Sequence, residues 1–134
     1  MARIFVDTSA VFALLDRRDA DHHAARRTLA RLRRRRLEPL LTNFIVAESH
    51  ALLLARLGAA VARRWLLSNG WAIERVNEHD EMRAQWIIAR YTDKSFSYTD
   101  SASFAVMERL GLKTAFAFDG HFRQYGFHVL GLAS

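Results

Sequence analysis

The sequence predicts an α/β fold in which helices cover both faces of a parallel sheet. Short runs of β-branched and aromatic residues alternate with longer runs whose apolar residues recur at helical spacing, as in proteins built from strand–helix–strand units. The length of 134 residues fits one compact domain. Because no stretch is rich in Pro, Gly or Ser, we see no linker and expect residues 1–134 to form a single domain.

The first strand is predicted over Arg3–Val6, where branched and aromatic residues follow one another. Thr8 and Ser9 offer hydroxyl oxygens that can accept hydrogen bonds from the free N–H groups of a helix start, so we expect them to cap a helix that continues to Leu15. A second helix is predicted over Ala20–Arg36, because its apolar residues recur at helical spacing while arginines fill the other positions.

The later elements follow from the same periodicities and from Pro39, Asn43, Gly58 and Gly111, residues that favour breaks or caps. The predicted strands are Leu40–Thr42, Trp71–Val76, Thr114–Phe118 and Phe127–Leu130. The predicted helices are one that Asn43 caps and that runs to Leu57, one over Ala59–Leu67, one over Glu78–Tyr91, one that Thr99 caps and that ends at Leu110, and a short one over His121–Tyr125. In the helix Glu78–Tyr91, we expect Met82, Trp86 and Ala89 to form one apolar stripe.

The composition excludes several kinds of site. The chain has no cysteine, which rules out disulfides, thiolate zinc sites and cysteine nucleophiles. The longest apolar run, Ala10–Leu15, is far shorter than the roughly 20 residues that a membrane-spanning helix needs. The apolar start stops at Asp7, so it does not have the form of a secretion signal. We therefore expect a cytoplasmic protein that does not enter a membrane.

Four carboxylates occupy positions that the predicted topology brings toward one edge of the sheet. Asp7 and Asp119 each come directly after a strand, and Glu48 lies one turn into the helix after the second strand. Parallel strands end at the same edge, which is where open α/β sheets bind ligands. Asp100 opens a helix that follows the loop Thr92–Tyr98, so its placement depends on that loop returning the chain to the same edge.

Carboxylates that lie close together must take up protons or bind a cation. Oxygen ligands without sulfur favour Mg²⁺ or Mn²⁺, and such ions commonly bind a phosphate oxygen as well. Each acid alone also suits a structural role, because aspartate is favoured after strands and in the first turn of helices. The functional interpretation therefore depends on all four acids together and on the apolar neighbours of Asp7, Glu48 and Asp119, beside which an unpaired charge is costly.

An ordered set of segments carries a resemblance to a known family. The segments are Asp7-Thr8-Ser9-Ala10, Glu48 in its apolar helix, Ser97-Tyr98-Thr99-Asp100, Phe118-Asp119-Gly120-His121-Phe122, and Gly126-Phe127. This set, which spans nearly the whole chain, resembles the PIN-domain ribonucleases and, among them, the VapC toxins of type II toxin–antitoxin pairs. Ala117 departs from the pattern, because relatives often carry a hydroxyl residue there.

The resemblance implies a fold, an activity and partners. The implied fold is a three-layer α/β/α sandwich with a mostly parallel sheet of four to five strands. The implied activity is cleavage of RNA with Mg²⁺ or Mn²⁺, with Asp7, Glu48, Asp100 and Asp119 as the catalytic acids and with Asp7 and Asp100 as metal ligands. The implied partners are RNA, a cognate antitoxin and a second copy of the chain. The residues that bind the substrate are not identified.

Four other functions are compatible with parts of this pattern. A housekeeping RNA-processing enzyme or a DNA nuclease would use the same acids, because metal chemistry at phosphorus does not require the 2′-hydroxyl. A nuclease-dead module that binds RNA or an antitoxin would be expected to lack some of the acids, and all four are present. A phosphatase with an aspartate nucleophile needs a second acid two residues after Asp7, where this chain has Ser9.

The net charge is +6, and 18 of the 20 cationic residues are arginine, which favours a polyanionic partner. Arg31 and the run 33–36 form the densest positive patch, which we interpret as an exposed helix end or as a contact for phosphate or an acidic protein segment.

The remaining histidines and tryptophans have simpler interpretations. His22 and His23 lie near Asp19 and Asp21, but neighbouring helix residues face different directions, so we expect these histidines at the surface rather than in a metal site. His121 suits either a phosphate contact or a packed helix start. The tryptophans, Trp65, Trp71 and Trp86, are expected in the core or at a dimer surface.

Overall fold

The computed structural model describes residues 2–132 and contains five strands and seven helices within them. In chain order these are β1 (Arg3–Val6), α1 (Thr8–Leu15), α2 (His22–Arg34), β2 (Glu38–Thr42), α3 (Asn43–Leu57), α4 (Ala59–Ser68), β3 (Ala72–Glu74), α5 (Glu78–Arg90), α6 (Tyr98–Leu110), β4 (Thr114–Ala117), α7 (His121–Tyr125) and β5 (His128–Gly131).

All five strands are parallel and lie in the order β3-β2-β1-β4-β5. Phe5 of the central strand pairs with Leu40 of β2 on one side and Ala115 of β4 on the other. Neighbouring side chains of a strand point to opposite faces, yet Ile4, Phe5 and Val6 are all buried. Both faces of the sheet are therefore covered by helices, which confirms the predicted three-layer α/β/α architecture.

The predicted helix caps lie one or two residues too late in the chain. Asp7 caps α1, because its side chain accepts a hydrogen bond from the backbone N–H of Ser9. Thr42 caps α3 in the same way, and Ser97 caps α6. An N-cap precedes the first helical residue and bonds two or three positions ahead, so the hydroxyl of Thr99 lies inside the helix that it was expected to cap.

The predicted apolar stripe of α5 is wrong. Met82 is 66% exposed and Trp86 is 48% exposed, whereas α5 buries Asp80, Ala84 and Ile87. The face of α5 that packs inward carries Asp80, which accepts hydrogen bonds from Arg109 of α6. Trp65 and Trp71 pack against the core as predicted, and Trp86 lies on the surface.

The expected surface position of His22 is also wrong. Its side chain is buried, and its Nδ1 lies 2.8 Å from the carbonyl oxygen of Ala13, whereas His23 is exposed as predicted. Four strands also differ from their predicted bounds: β2 begins at Glu38 and includes Pro39, β3 spans Ala72–Glu74, β4 ends at Ala117 and β5 spans His128–Gly131. Among the described residues, no helix is long and apolar enough to cross a membrane.

Candidate functional site

The four acids singled out in the sequence line a single hollow at the carboxyl edge of the sheet. Asp7 follows β1, Asp119 follows β4, Glu48 projects from α3 and Asp100 lies in the first turn of α6. We call this space, of about 430 Å³, the acidic hollow. Its remaining lining consists of Thr8, Ser9, Leu52, Ser95, Ser97 and His121. Side chains that are far apart in the sequence therefore meet in one place.

Asp7 is held by both its backbone and its side chain. Its N–H donates to the carbonyl oxygen of Phe116 at 3.0 Å, which continues the pairing between β1 and β4. Its Oδ2 accepts hydrogen bonds from the N–H of Ser9 at 3.1 Å and from the Ser9 hydroxyl at 2.6 Å. The same hydroxyl oxygen accepts from the N–H of Phe118 at 2.9 Å. Ser9 therefore links the ends of the two strands that carry Asp7 and Asp119.

Asp100 reaches the site through a capping box at the start of α6. The N–H of Ser97 donates to Asp100 Oδ2 at 3.0 Å, and the N–H of Asp100 donates to the Ser97 hydroxyl at 3.0 Å. The preceding loop is anchored by the buried ring of Phe96, which packs against the rings of Tyr91 and Phe104. This anchor returns the loop to the carboxyl edge, as the sequence interpretation of Asp100 required.

His121 joins the acids, a contact that the sequence analysis did not assign. Its Nδ1 lies 3.0 Å from Asp100 Oδ2 and 3.8 Å from Asp119 Oδ1, and its backbone N–H donates to Asp119 Oδ1 at 3.0 Å. The potential ligand atoms of these three residues lie within 4.8 Å of one another. The sequence signal for this contact is a histidine two residues after an aspartate that ends a buried strand.

The electrostatics of the hollow favour a cation. Burial, followed by the charge of Asp119, raises the pKa of Asp7 well above its usual value, although the hydrogen bonds from Ser9 oppose this. Burial also raises the pKa of Glu48, against a hydrogen bond from Thr8. Burial raises the pKa of Asp100 too, and its bond with Ser97 and the nearby His121 counteract the increase.

A bound divalent cation would relieve the mutual repulsion of these carboxylates and favour their ionised forms. The donors are mainly carboxylate oxygens, with one imidazole nitrogen and no sulfur. This set suits a hard divalent cation such as Mg²⁺ or Mn²⁺. The residues present therefore fit a metal site.

The fold and this hollow define a class of protein: a parallel α/β sandwich with a candidate divalent-metal site at the carboxyl edge of its sheet. The chain belongs to the PIN-domain family, whose model matches residues 4–128.

The comparisons with known proteins agree with this family. The chain is 38% identical over 131 residues to the 23S rRNA-specific endonuclease VapC20 of two Mycobacterium tuberculosis strains, covering 92% of this chain and 95% of the relative. It also matches the crystal structure of M. tuberculosis VapC20, described as a sarcin-ricin loop cleaving toxin, with a TM-score of 0.83 and 33% identity over 92% of this chain and 95% of that one.

A more distant match shows the fold alone. The crystal structure of FitAcB from Neisseria gonorrhoeae superposes with a TM-score of 0.70 and 17% identity, covering 95% of this chain and 96% of that chain.

Proposed function

We propose that this protein is a divalent-metal-dependent endoribonuclease, with residues 1–134 acting as one nuclease domain, and that it is the toxin of a toxin–antitoxin pair. The observation that carries the proposal is the convergence of Asp7, Glu48, Asp100 and Asp119 in one hollow. Membership of the PIN family and the similarity to a 23S rRNA-specific endonuclease support RNA as the substrate.

Each residue of the hollow has a distinct proposed role. Asp7 and Asp100 would hold Mg²⁺, or Mn²⁺ in its place, and Asp119 would add a further negative charge beside them. When bound there, a divalent cation would lower the pKa of a water molecule and would stabilise the charge that develops at phosphorus during hydrolysis. Ser9 orients Asp7 through the bond of 2.6 Å, and His121 orients Asp100 through the contact of 3.0 Å.

Glu48 is the proposed general base. Burial raises the pKa of its carboxyl group, so the group is a better proton acceptor than an exposed glutamate. It projects into the hollow from α3, whereas Asp7 and Asp119 follow the strands β1 and β4. Glu48 therefore takes the proton of the attacking water, while the leaving 3′ or 5′ oxygen of the RNA takes a proton from solvent.

The proposal includes partners and a place of action. An RNA substrate implies the cytoplasm, and the net charge of +6 favours approach of a polyanion to a site whose own side chains are acidic. A cognate antitoxin and a homodimer are proposed from the similarity to VapC20 and from the family membership.

Cleavage of defined RNAs tests the proposed function. Purified protein is incubated with a sarcin-ricin stem-loop and with an unstructured RNA, in Mg²⁺, in Mn²⁺ or with chelator, beside Asp7→Asn and the exposed-surface control Asp93→Asn. We expect metal-dependent cuts by the native protein and the control, and a loss of at least about 100-fold in Asp7→Asn, since the metal stabilises the transition state by several kcal/mol. Equal cutting by Asp7→Asn, or cutting with chelator present, would refute the mechanism.

A further inference from the structure

A second hollow opens directly beside the acidic one. We call it the flanking hollow; its volume is about 330 Å³, within the range of small-molecule sites. It shares Ser9, Leu52 and Asp119 with the acidic hollow, so the two spaces form one continuous groove. Its other lining residues are Phe12, Asp19, Asp21, Arg56 and Phe118. A nucleotide next to a phosphate held in the acidic hollow would lie in this space.

One face of α3 forms the floor of this groove. Glu48, Leu52 and Arg56 are spaced four residues apart, so they lie in a row along the helix. The row leads from the proposed general base to an exposed guanidinium group that forms no salt bridge within residues 2–132. Arg56 is therefore free to contact the phosphate that follows the scissile one.

An aromatic wall is held rigidly in place. The N–H of Phe118 donates to the Ser9 hydroxyl at 2.9 Å, and its ring packs 5.9 Å from that of Phe116. Gly131 makes room for this ring, since a β-carbon at that position would lie 3.1 Å from it. Phe118 and Phe12 are half-buried and face the flanking hollow. Aromatic faces of this kind bind extruded bases by stacking.

Asp19 and Asp21 determine which base the hollow suits. Neither forms a salt bridge within residues 2–132, although Arg56 lines the same space. Asp19 Oδ2 accepts a hydrogen bond from the backbone N–H of Asp21 at 3.0 Å, and the Asp21 carboxylate has no hydrogen-bond or salt-bridge partner within residues 2–132, so it is available to accept from a ligand. A carboxylate accepts two parallel donors, and guanine alone among the four RNA bases offers two adjacent donors, N1–H and the 2-amino group, on its Watson–Crick edge.

We propose that the flanking hollow is a guanine-binding subsite, in which Asp21, supported by Asp19, accepts from the base while Phe118 stacks on it and Arg56 contacts its phosphate. This inference rests on the proposed function and adds the identity of the nucleotide beside the cut. The carboxylates of the hollow repel a phosphate group, so a phosphate is not its main ligand. The aromatic wall stacks better on a flat base than on a ribose.

The test measures discrimination between guanine and inosine, which lacks the 2-amino group. The full chain carrying Asp7→Asn, which does not cut, is titrated by fluorescence anisotropy with uridine decamers that contain one guanine or one inosine. Inosine should weaken binding by about tenfold, the effect of losing one hydrogen bond to a charged group. The double variant Asp19→Asn/Asp21→Asn should abolish this ratio.

A matched control separates base recognition from charge. Asp93→Asn/Glu78→Gln removes two exposed acids elsewhere and should strengthen binding to both RNAs equally while leaving the ratio unchanged. Equal binding of guanine and inosine by the parent chain, or a ratio that survives in the Asp19→Asn/Asp21→Asn variant, would overturn the subsite. A cationic protein side chain would then be the better occupant.

The same RNAs distinguish failure of the subsite from failure of the proposed function. Native protein that cuts RNA in Mg²⁺ with the same single-turnover rate for guanine and inosine would contradict the subsite and leave the nuclease intact. Native protein that cuts no RNA in any metal would contradict the proposed function itself.

Discussion

Asp7 combines a structural role with a proposed functional one, and sequence rules treat these two roles as alternatives. Its side chain caps α1, as an aspartate after a strand commonly does, and the same carboxylate is buried in the acidic hollow beside Asp119. The structural role explains how the chain tolerates a buried charge, because the N–H and hydroxyl of Ser9 stabilise it. The structural interpretation of a single acid is therefore no evidence against a functional one.

The buried charge of Asp7 has a cost that a neutral isostere removes. A carboxyl group whose pKa is raised in the folded protein stabilises it only while protonated, and this contribution is lost as the pH rises through the folded pKa. At neutral pH in chelator, we expect Asp7→Asn to raise Tm by roughly 2–5 °C, since the amide oxygen can still accept from Ser9. Differential scanning fluorimetry measures this shift.

With Mg²⁺ present, we expect the native protein, rather than Asp7→Asn, to have the higher Tm. Adding Mg²⁺ should raise the Tm of the native protein by mass action and leave Asp7→Asn almost unchanged. A variant that is less stable than the native protein in chelator would show that Asp7 is paired with a cationic group rather than with other acids.

Sequence reasoning located the acids but not their partners. Asp7, Glu48 and Asp119 follow from the topology of a parallel sheet, because strand ends and the first turns after them share one edge. The contact of His121 with Asp100 depends on how α7 and the loop anchored by Phe96 pack against each other, which no local pattern encodes. His22 was misplaced for the same reason, since its partner is a carbonyl of α1.

At the scale of elements, the packing of α5 on α6 depends on a buried carboxylate. Asp80 completes the capping box of α5 with Asn77, and it accepts two hydrogen bonds from Arg109 of α6, at 3.0 and 2.9 Å. Arg109 also bonds with Glu74 of β3. This network places Asp80 on the buried face of α5 and Met82 on the exposed face, whereas the helical periodicity predicted that Met82 would be buried.

Breaking this network should destabilise the protein more than breaking a surface pair. Arg109→Gln leaves the carboxylate of Asp80, only 3% exposed, without its cation, so we expect a loss of about 2–3 kcal/mol in the free energy of unfolding. Arg83→Gln is the matched control, because Arg83 and Glu108 are 41% and 35% exposed, and should cost less than about 1 kcal/mol. Urea unfolding compares them; equal losses would contradict the structural role of Asp80.

The contact between α6 and α7 predicts a pH effect at the alkaline end. Burial and a hydrogen bond to Glu108 raise the pKa of Tyr125 to about 12. Because the folded pKa lies above the unfolded value of about 10, the stabilisation from this tyrosine is complete below pH 10 and is lost as the pH rises toward 12.

Ultraviolet titration of tyrosine ionisation checks this assignment. The chain has three tyrosines, and we expect one part of the absorbance change to develop only near pH 12 and to disappear in Tyr125→Phe. If Tyr125→Phe instead removes absorbance that develops near pH 10, the hydrogen bond to Glu108 does not persist in solution.

At the scale of the whole molecule, the alternation of strands and helices was enough to predict a parallel sheet with helices on both faces, and the resemblance of the motifs to PIN-domain ribonucleases added the number of strands, four to five. The strand order, with β1 in the centre, was not predicted, because pairing between distant segments leaves no local signal. Short edge strands are also weakly encoded, which is why β3 is shorter than expected.

The charge of the molecule predicts salt-dependent binding of RNA. A protein with net charge +6 that contacts several phosphates releases bound counterions, so affinity falls as salt rises. Between 50 and 200 mM salt we expect the affinity of Asp7→Asn for a single-stranded RNA to fall by roughly tenfold or more. Anisotropy titrations at several salt concentrations give the slope; an affinity independent of salt would show that phosphates contribute little.

The central claim is that distant acids form one metal site, and a crystal soaked in Mn²⁺ tests it most directly. We expect an anomalous difference peak in the acidic hollow, about 2.1 Å from carboxylate oxygens of Asp7 and Asp100, with Asp119 and His121 beside it. The absence of such a peak at saturating Mn²⁺, or a peak bound by other residues while Asp100 keeps only its contact with His121, would contradict the account.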